Sequence, residues 1–415
     1  MLLSVIFTSD ATVLGLLLVV LALVFYTASL KHPIWQKFYA IFPPLLLCYF
    51  IPGLLNSFGV ISGEESKLYS VISQYFLPAC LVYFTLGMDF KAVIRLGPKA
   101  LIVFFAGTLG VMIGGPVAVW VMKMISPEVV GGVGADSVWR GLATIAGSWI
   151  GGGANQTALK EIFQPSDRLF SQVIAVDVIT AEIWMAVLIY GAGFANKIDR
   201  IFKADASAIE ELKDRIDSEQ KVSQRIPTVY DLVLIAAVGF GVTGLAHFFA
   251  DYITPWIKIN HPSLERFSLT SSFFWVVSIA TMLGILLSFT RLRQLEFAGA
   301  SRIGSLFLYI LVATIGMKMD IFAVAENPGL FGVGIIWMSV HVMVTLGVAK
   351  LIRAPFFFTA VGSQANIGGA ASAPVVAAAF HPSLASVGVL LAILGYAVGT
   401  YGGYLTGLMM QWVAE

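Results

Sequence analysis

Charge is scarce in this chain. Lys, Arg, Asp and Glu together make up 12% of its 415 residues, roughly half the share of an ordinary soluble domain, which excludes a large solvated surface. Neither sign prevails. The 25 Lys and Arg face 24 Asp and Glu, so nothing points to nucleic acid or another polyanionic partner. Only two cysteines occur, Cys48 and Cys80, both inside apolar stretches, where a thiol behaves as a small hydrophobe and no redox role follows. The first 30 residues hold no Lys or Arg, so the basic start of a cleavable signal peptide is missing and the first apolar stretch reads as a retained helix. Also missing are a His-Glu-x-x-His pattern, a Cys or His cluster with metal spacing, a Gly-x-Ser-x-Gly elbow, and the Lys-Ser or Lys-Thr of a phosphate loop. The expectation is a protein that is not an enzyme and carries no cofactor.

What fills the chain instead is apolar sequence. Hydrophobic residues reach 58%, and runs near the length of a bilayer crossing recur at about 12–30, 38–60, 68–88, 100–122, 141–163, 169–193, 229–252, 268–290, 303–317, 329–349, 355–380 and 385–412. An all-α polytopic membrane protein is the expected fold class. One long polar stretch, 194–228, interrupts the pattern with seven acidic and seven basic residues between Lys197 and Arg225, and divides the chain into a first half, 1–193, and a second, 229–415. The halves repeat. "FTLGMDF" at 84–90 returns as "ATIGMKMD" at 313–320, each closing a third segment; the fifth segments then carry "GSWIGGGAN" at 147–155 and "GSQANIGG" at 362–369. A repeat of this size in a membrane protein points to a transporter built from two related bundles.

Charge placement indicates how the halves are oriented. If all twelve segments cross, Lys and Arg divide 15 to 10 between the two sides; if both glycine segments enter and leave by one face, they divide 17 to 8, in better accord with an excess of basic residues on the cytoplasmic side. The expected arrangement is therefore ten spans plus two re-entrant hairpins, at about 141–163 and 355–380, in two inverted repeats. It places the linker in the cytoplasm and both termini outside the cell (inner) membrane. Non-helical backbone at membrane depth is tolerated only where protein or a wet cavity satisfies it, so the glycine tips should line a site. Asn155 is expected to cap the returning helix of the first hairpin, and Ser372 with Pro374 to start that of the second.

This organisation is similar to that of the sodium-coupled glutamate symporters and the 2-hydroxycarboxylate (citrate) transporters, whose hairpins also carry Gly-Gly tips. Their exact motifs are absent here, where the tips read "GGGAN" and "IGGAA". Through "GSWIGGGAN", "SQANIGG" and "LGYAVGTYGG" the sequence more closely resembles an uncharacterised integral-membrane family, domain of unknown function 819, grouped in one broad superfamily with those symporters and the cation:proton antiporters.

The candidate site follows from hairpin geometry. A returning half-helix points its amides at the tip, which suits a carboxylate. Ser148, Gly152, Gly153, Asn155, Gln156 and Thr157 of one tip, and Ser363, Gln364, Asn366, Gly368 and Gly369 of the other, with Tyr396 nearby, are the expected solute-binding set. Asp177 and Glu182 are acids inside the segment after the first hairpin, and acids at such depth are functional candidates as sodium ligands or proton carriers. With Thr180 and Thr400 they form the expected ion-coupling set, with a sodium ion near Asp177. Asp177 and Thr180 can share a helix face, whereas Asp177 and Glu182 stand about 140° apart. His341 reads as a core histidine, and Asp89 and Asp320 as interfacial or capping residues. The expected function is a sodium- or proton-coupled symporter of a small carboxylate, amino acid or short peptide. It would work by elevator-type alternating access, both hairpins and their following helices moving against a scaffold, with lipid and a homodimer through the scaffold helices as partners. The competing reading is a cation:proton antiporter that uses Asp177 and keeps the glycine segments as crossing broken helices.

Overall fold

The computed structural model describes residues 6–42, 44–88, 90–204, 209, 226–267, 269–319, 322, 326–381 and 384–415. Asp89, Asp320 and most of the linker, 205–208 and 210–225, for which interfacial, capping and cytoplasmic places are expected, lie outside the described residues. Among the described residues every regular element is helical. The main helices of the first half are α1 (Asp10–Ser29), α2 (Pro44–Ser57), α3 (Leu68–Leu86), α4 (Pro98–Ile125), α5 (Val138–Gly151), α6 (Gly153–Phe163) and α7 (Asp167–Ala192), followed by the short linker helix α8 (Ala195–Phe202). The second half continues with α9 (Val229–Asn260), α10 (Ser272–Ser288), α11 (Ala300–Gly316), α12 (Gly329–Leu351), α13 (Phe356–Ile367), α14 (Gly369–Phe380) and α15 (Ala385–Ala414).

Seven of these, α1, α3, α4, α7, α9, α12 and α15, are long and apolar enough to cross a membrane; an eighth candidate joins α10 to the 3-10 stretch Arg291–Ala298 through a bend of 97°. The apolar helices Leu46–Ser57 and α11 are shorter. Helix starts follow local chemistry. Ser166 accepts from the Leu169 amide to open α7, and Thr228 with Asp231 forms a reciprocal capping box that opens α9 where the polar linker ends. α1 and α9 bury only 28% of their apolar windows, which marks them as outer helices with faces left for lipid. The main buried core runs through α1 to α7, α10 to α13 and α15, and a second cluster joins α4 to α13, α14 and α15.

Equivalent segments meet. α3 packs on α11 and α4 on α12, while each glycine-rich pair packs on the closing helix of the other half: α5 on α15, and α13 with α14 on α7. The close approach of α5 and α15 depends on glycines four residues apart on α15. A methyl group at Gly399 would lie 2.7 Å from the Gly151 Cα, at Gly403 2.8 Å from the Gly147 nitrogen, and at Gly407 2.8 Å from the Ala143 Cβ. Small residues at this spacing let two backbones touch.

Both glycine-rich pairs fold back on themselves. Arg140 near the start of α5 donates from Nη1 to the carbonyl of Phe163 at the end of α6, and the Trp139 and Phe163 rings meet edge to face at 5.5 Å. In a continuous helix these positions would stand about 35 Å apart. In the second pair the Phe357 and Phe380 rings lie 5.3 Å apart, so α13 and α14 also bring their far ends together. A buried cation braces the open end of the first pair: Lys160 donates to Asp167 at 2.9 Å and to the Tyr69 hydroxyl at 3.2 Å, with its ammonium 4.3 Å from the Tyr69 ring centre.

Candidate functional site

The two fold-back tips come together at glycine. Gly152 separates α5 from α6 with φ 84° and ψ −176°, a region open to glycine and almost nothing else. Gly369 opens α14 with φ 56°, and its added Cβ would sit 3.5 Å from the Gly152 Cα. Here two expectations are corrected. Gly152, not Asn155, is the N-cap of α6, and the amides of Asn155 and Gln156 both return to the Gly152 carbonyl, at 3.0 and 3.1 Å. Because the turn falls at the middle glycine of three, Asn155 is carried into the first helical turn and swings away from the tip. Likewise α14 begins at Gly369 rather than at Ser372, and Ser372 and Pro374 lie inside it.

Between the tips lies a cavity of about 360 Å³. The first hairpin contributes Ser148, Gly152, Gly153 and Gln156, the second Gln364, Ile367, Gly368 and Ser372. Asp177 and Glu182, one turn and a half apart on α7, both face it. The angle that separates them on the helix is spanned because the cavity runs along α7, past Val178, Ala181 and Met185 as well. A larger polar cavity of about 710 Å³ opens at the far end of the first hairpin beside Gln74, Arg140, Glu161, His247 and Lys258; it touches neither tip, so the smaller cavity is the better candidate.

Asp177 is 4% exposed. Its Oδ1 accepts from the Trp149 indole N–H at 2.6 Å and its Oδ2 from the Gln156 amide at 2.6 Å. Donors on both oxygens offset much of the cost of burying this carboxyl group. Glu182 differs: half-buried, it has no hydrogen-bond or ion-pair partner among the described residues. Two neutral polar groups are left over as well. The Gln364 amide donates to Ser372 Oγ at 2.7 Å while its Oε1 is buried with no partner among the described residues, and the hydroxyl of Tyr49, a residue that also lines the cavity, has none among them either.

The remaining expected residues sit behind this lining. Asn155 turns to α15, its Nδ2 donating to the Tyr396 carbonyl at 3.1 Å and Thr400 Oγ1 at 2.8 Å. Thr157 bonds back to the Gly153 carbonyl, and Tyr396 stacks on Phe84 with ring centres 4.3 Å apart. Asn366 is used up by α4 and its own helix: Oδ1 accepts from Thr108 at 2.7 Å, and Nδ2 donates to the carbonyls of Phe104 and Gly362. Thr180 does not join Asp177; it abuts Gly334 of α12. Ser363 belongs to a buried chain in which Trp184 donates to Ser363 Oγ at 2.8 Å and the hydroxyl faces His341 Nε2 at 2.7 Å. His341 Nδ1 lies 3.0 Å from the Gly107 carbonyl. A carbonyl can only accept, so Nδ1 carries the proton and neutral Nε2 accepts from Ser363.

Sequence reasoning missed Trp149, Tyr49 and the rings of Phe25, Tyr39 and Tyr309 that close the cavity. Trp149 stands inside "GSWIGGGAN", but an indole in an apolar run carries no sign that its N–H will meet a carboxylate. The glycines of α15 did carry a signal, their four-residue spacing.

With seven or eight helices among the described residues fit to cross a membrane, and two fold-back helix pairs meeting over a buried acid, the chain is a polytopic membrane protein. The chain belongs to the family described as "Protein of unknown function (DUF819)", which matches residues 15–413. It is also similar to the "Uncharacterized membrane protein YjcL" of Bacillus subtilis (strain 168), at 21% identity over 355 residues, 83% of this chain and 84% of that protein.

Proposed function

We propose that the chain is a secondary active transporter of the cell membrane, not an enzyme: a sodium- or proton-coupled symporter of a small carboxylate, amino acid or short peptide. The observation that carries this reading is the meeting of Gly152 and Gly369 over one cavity beside Asp177. Two uncapped helix N-termini, at Gly152 and Gly368, supply partial positive charge for an anionic group, and the Asp177 carboxyl group, at the cavity wall, supplies a place for a coupling proton or sodium ion. The packing of α3 on α11 and α4 on α12 supports two inverted repeats of five spans and a re-entrant hairpin each, with the linker cytoplasmic and the termini outside.

Alternating access follows as an elevator motion. α4, α12, α7, α15 and both hairpins pack on one another and would travel together; α1 to α3 and α9 to α11 form the second group, which would hold still and offer a dimer surface. This adds α4 and α12 to the moving bundle expected from sequence. The antiporter reading requires the glycine segments to cross as broken helices, and the Arg140–Phe163 and Phe357–Phe380 contacts count against it. Reconstitution into liposomes tests the proposal. Charge movement should need both a cation gradient and an added organic solute; movement driven by cations and pH alone would establish the antiporter instead.

A further inference from the structure

We infer that the solute is a zwitterion with one ammonium and one carboxylate, an amino acid or dipeptide with an apolar side chain, rather than a di- or tricarboxylate. This rests on the transport reading and narrows it. The decisive feature is the sign of the lining. Among the described residues two carboxyl groups, Asp177 and Glu182, face the cavity, and no Lys, Arg or His does. Binding a second or third solute carboxylate calls for cationic side chains, bidentate arginine above all, and this cavity would meet it with like charge instead.

The unmet groups match a zwitterion. Among the described residues Glu182 has no counter-charge and Gln364 Oε1, on a side chain only 1% exposed, has no donor. Both are acceptors, and an ammonium brings three N–H donors and no acceptor. The opposite need is for an acceptor. The Tyr49 hydroxyl, on a side chain 1% exposed, has no partner among the described residues, and the N-terminus of the 11-residue helix α6 at Gly152–Gly153 has no side-chain cap; one carboxylate would satisfy both. Much of the rest of the wall is apolar, with Phe25, Tyr309, Met185 and Ile367 placed to bury a hydrocarbon side chain or an aromatic ring.

The test uses the purified full chain in nanodiscs with sodium present. Thermal shift and equilibrium binding are measured for L-phenylalanine, L-leucine and L-leucyl-L-leucine against 3-phenylpropionate, which lacks the ammonium, phenethylamine, which lacks the carboxylate, and succinate and citrate. The zwitterions should raise the melting temperature and bind at least tenfold more tightly than any single-charge or multiply acidic probe. Tyr49→Phe removes a hydroxyl with no hydrogen-bond partner among the described residues, so it should fold with undiminished stability yet lose about tenfold in affinity for the zwitterions. Glu182→Gln should narrow the advantage of L-phenylalanine over 3-phenylpropionate. If succinate, citrate or 3-phenylpropionate binds as well as the amino acids, this inference falls while the symporter reading stands. If no organic probe shifts or binds the protein, both fall.

Discussion

Gly152 and Gly369, one from each half of the chain, touch at the tips of the two hairpins, with 3.5 Å between the Gly152 Cα and the position of a Cβ on Gly369. Each tip is thereby a wall of the same cavity, and a change at either is felt on both sides. The contact is not a tight one. A methyl on Gly152 would meet Tyr396 Cε1 at 3.5 Å, an ordinary van der Waals distance. What demands glycine there is the backbone, at φ 84° and ψ −176°.

Gly152→Ala should therefore cost about 1 to 3 kcal/mol through strain alone, or shift the break to Gly153 and displace Gln156 from Asp177. Gly153→Ala, one residue on and with no positive φ, should be much milder. Melting temperatures of the two variants check this; equal effects would mean that steric room, not conformation, sets the tip.

Asn155 and Asn366 both stand in the solute-binding set expected from sequence, which implies a shared ligand and coupled effects. Their side chains instead serve different interfaces, Asn155 with α15 and Asn366 with α4. Asn366→Ala leaves the Thr108 hydroxyl and the Phe104 carbonyl unserved and should cost about 1 to 3 kcal/mol; Asn155→Ala should cost toward the lower end, since its Oδ1 already lacks a partner. A double-mutant cycle on stability should be additive within about 0.5 kcal/mol. A larger coupling would tie the two through the cavity after all.

The position of each helix break was legible because only glycine suits it, and clusters of glycine inside apolar runs are rare enough to read. Asp177 was legible for the same reason: an acid at that depth needs an explanation. The direction of Asn155 was not, because it depends on which of three glycines takes the turn, a choice settled by the packing of α5 against the glycines of α15. Nor was the partnership of Trp149 with Asp177, since the contact joins two elements whose distance no single-chain pattern encodes. Tyr49 shows the same limit in an apolar helix.

Asp199 on α8 ties the linker to the second hairpin by accepting the Phe356 amide N–H at 2.7 Å. Burial raises its carboxyl pKa above the usual 3.8, and the Phe356 bond opposes that rise. A raised folded value means that its contribution is fully present below pH 3.8 and is lost as pH climbs through the raised value. Asp199→Asn keeps an acceptor for Phe356 and cannot ionise, so it should match or exceed the parent in stability at neutral pH and flatten the acid limb of the profile. Asp199→Ala should be destabilising at every pH. A melting-temperature series from pH 4 to 8 separates them; an Asn variant as unstable as the Ala variant would show that the charge itself holds the contact.

The fold-back geometry predicts accessibility. Asp136 and Gln164 flank the two ends of the first hairpin and are exposed, and Asp136 is joined to Ser166 beyond it. Single cysteines at these two positions, with Cys48 and Cys80 replaced, should label from the same side of intact cells, the outside in the proposed orientation, and a cysteine at Arg353 beside the second hairpin from the inside. Labelling of 136 and 164 from opposite sides would mean that the first glycine segment crosses.

Asp177→Asn is the sharpest test of coupling. The substitution leaves one acceptor for the Trp149 indole N–H, and the Gln156 amide can turn over to present its oxygen to the new amide group, so the three-way contact survives in altered form. The fold should hold. Asp177→Ala, by contrast, strands the Trp149 and Gln156 donors in a buried site, at about 1 to 3 kcal/mol each, and should express poorly. Transport separates the roles where stability does not. If the carboxyl group takes up a proton or sodium ion in each cycle, the Asn variant should bind solute in liposomes yet lose all cation-driven accumulation, with Glu182→Gln the milder companion. Undiminished accumulation with an unchanged cation dependence would leave Asp177 as a brace between α7 and the first hairpin, and the coupling residue would have to be sought elsewhere, Glu182 first.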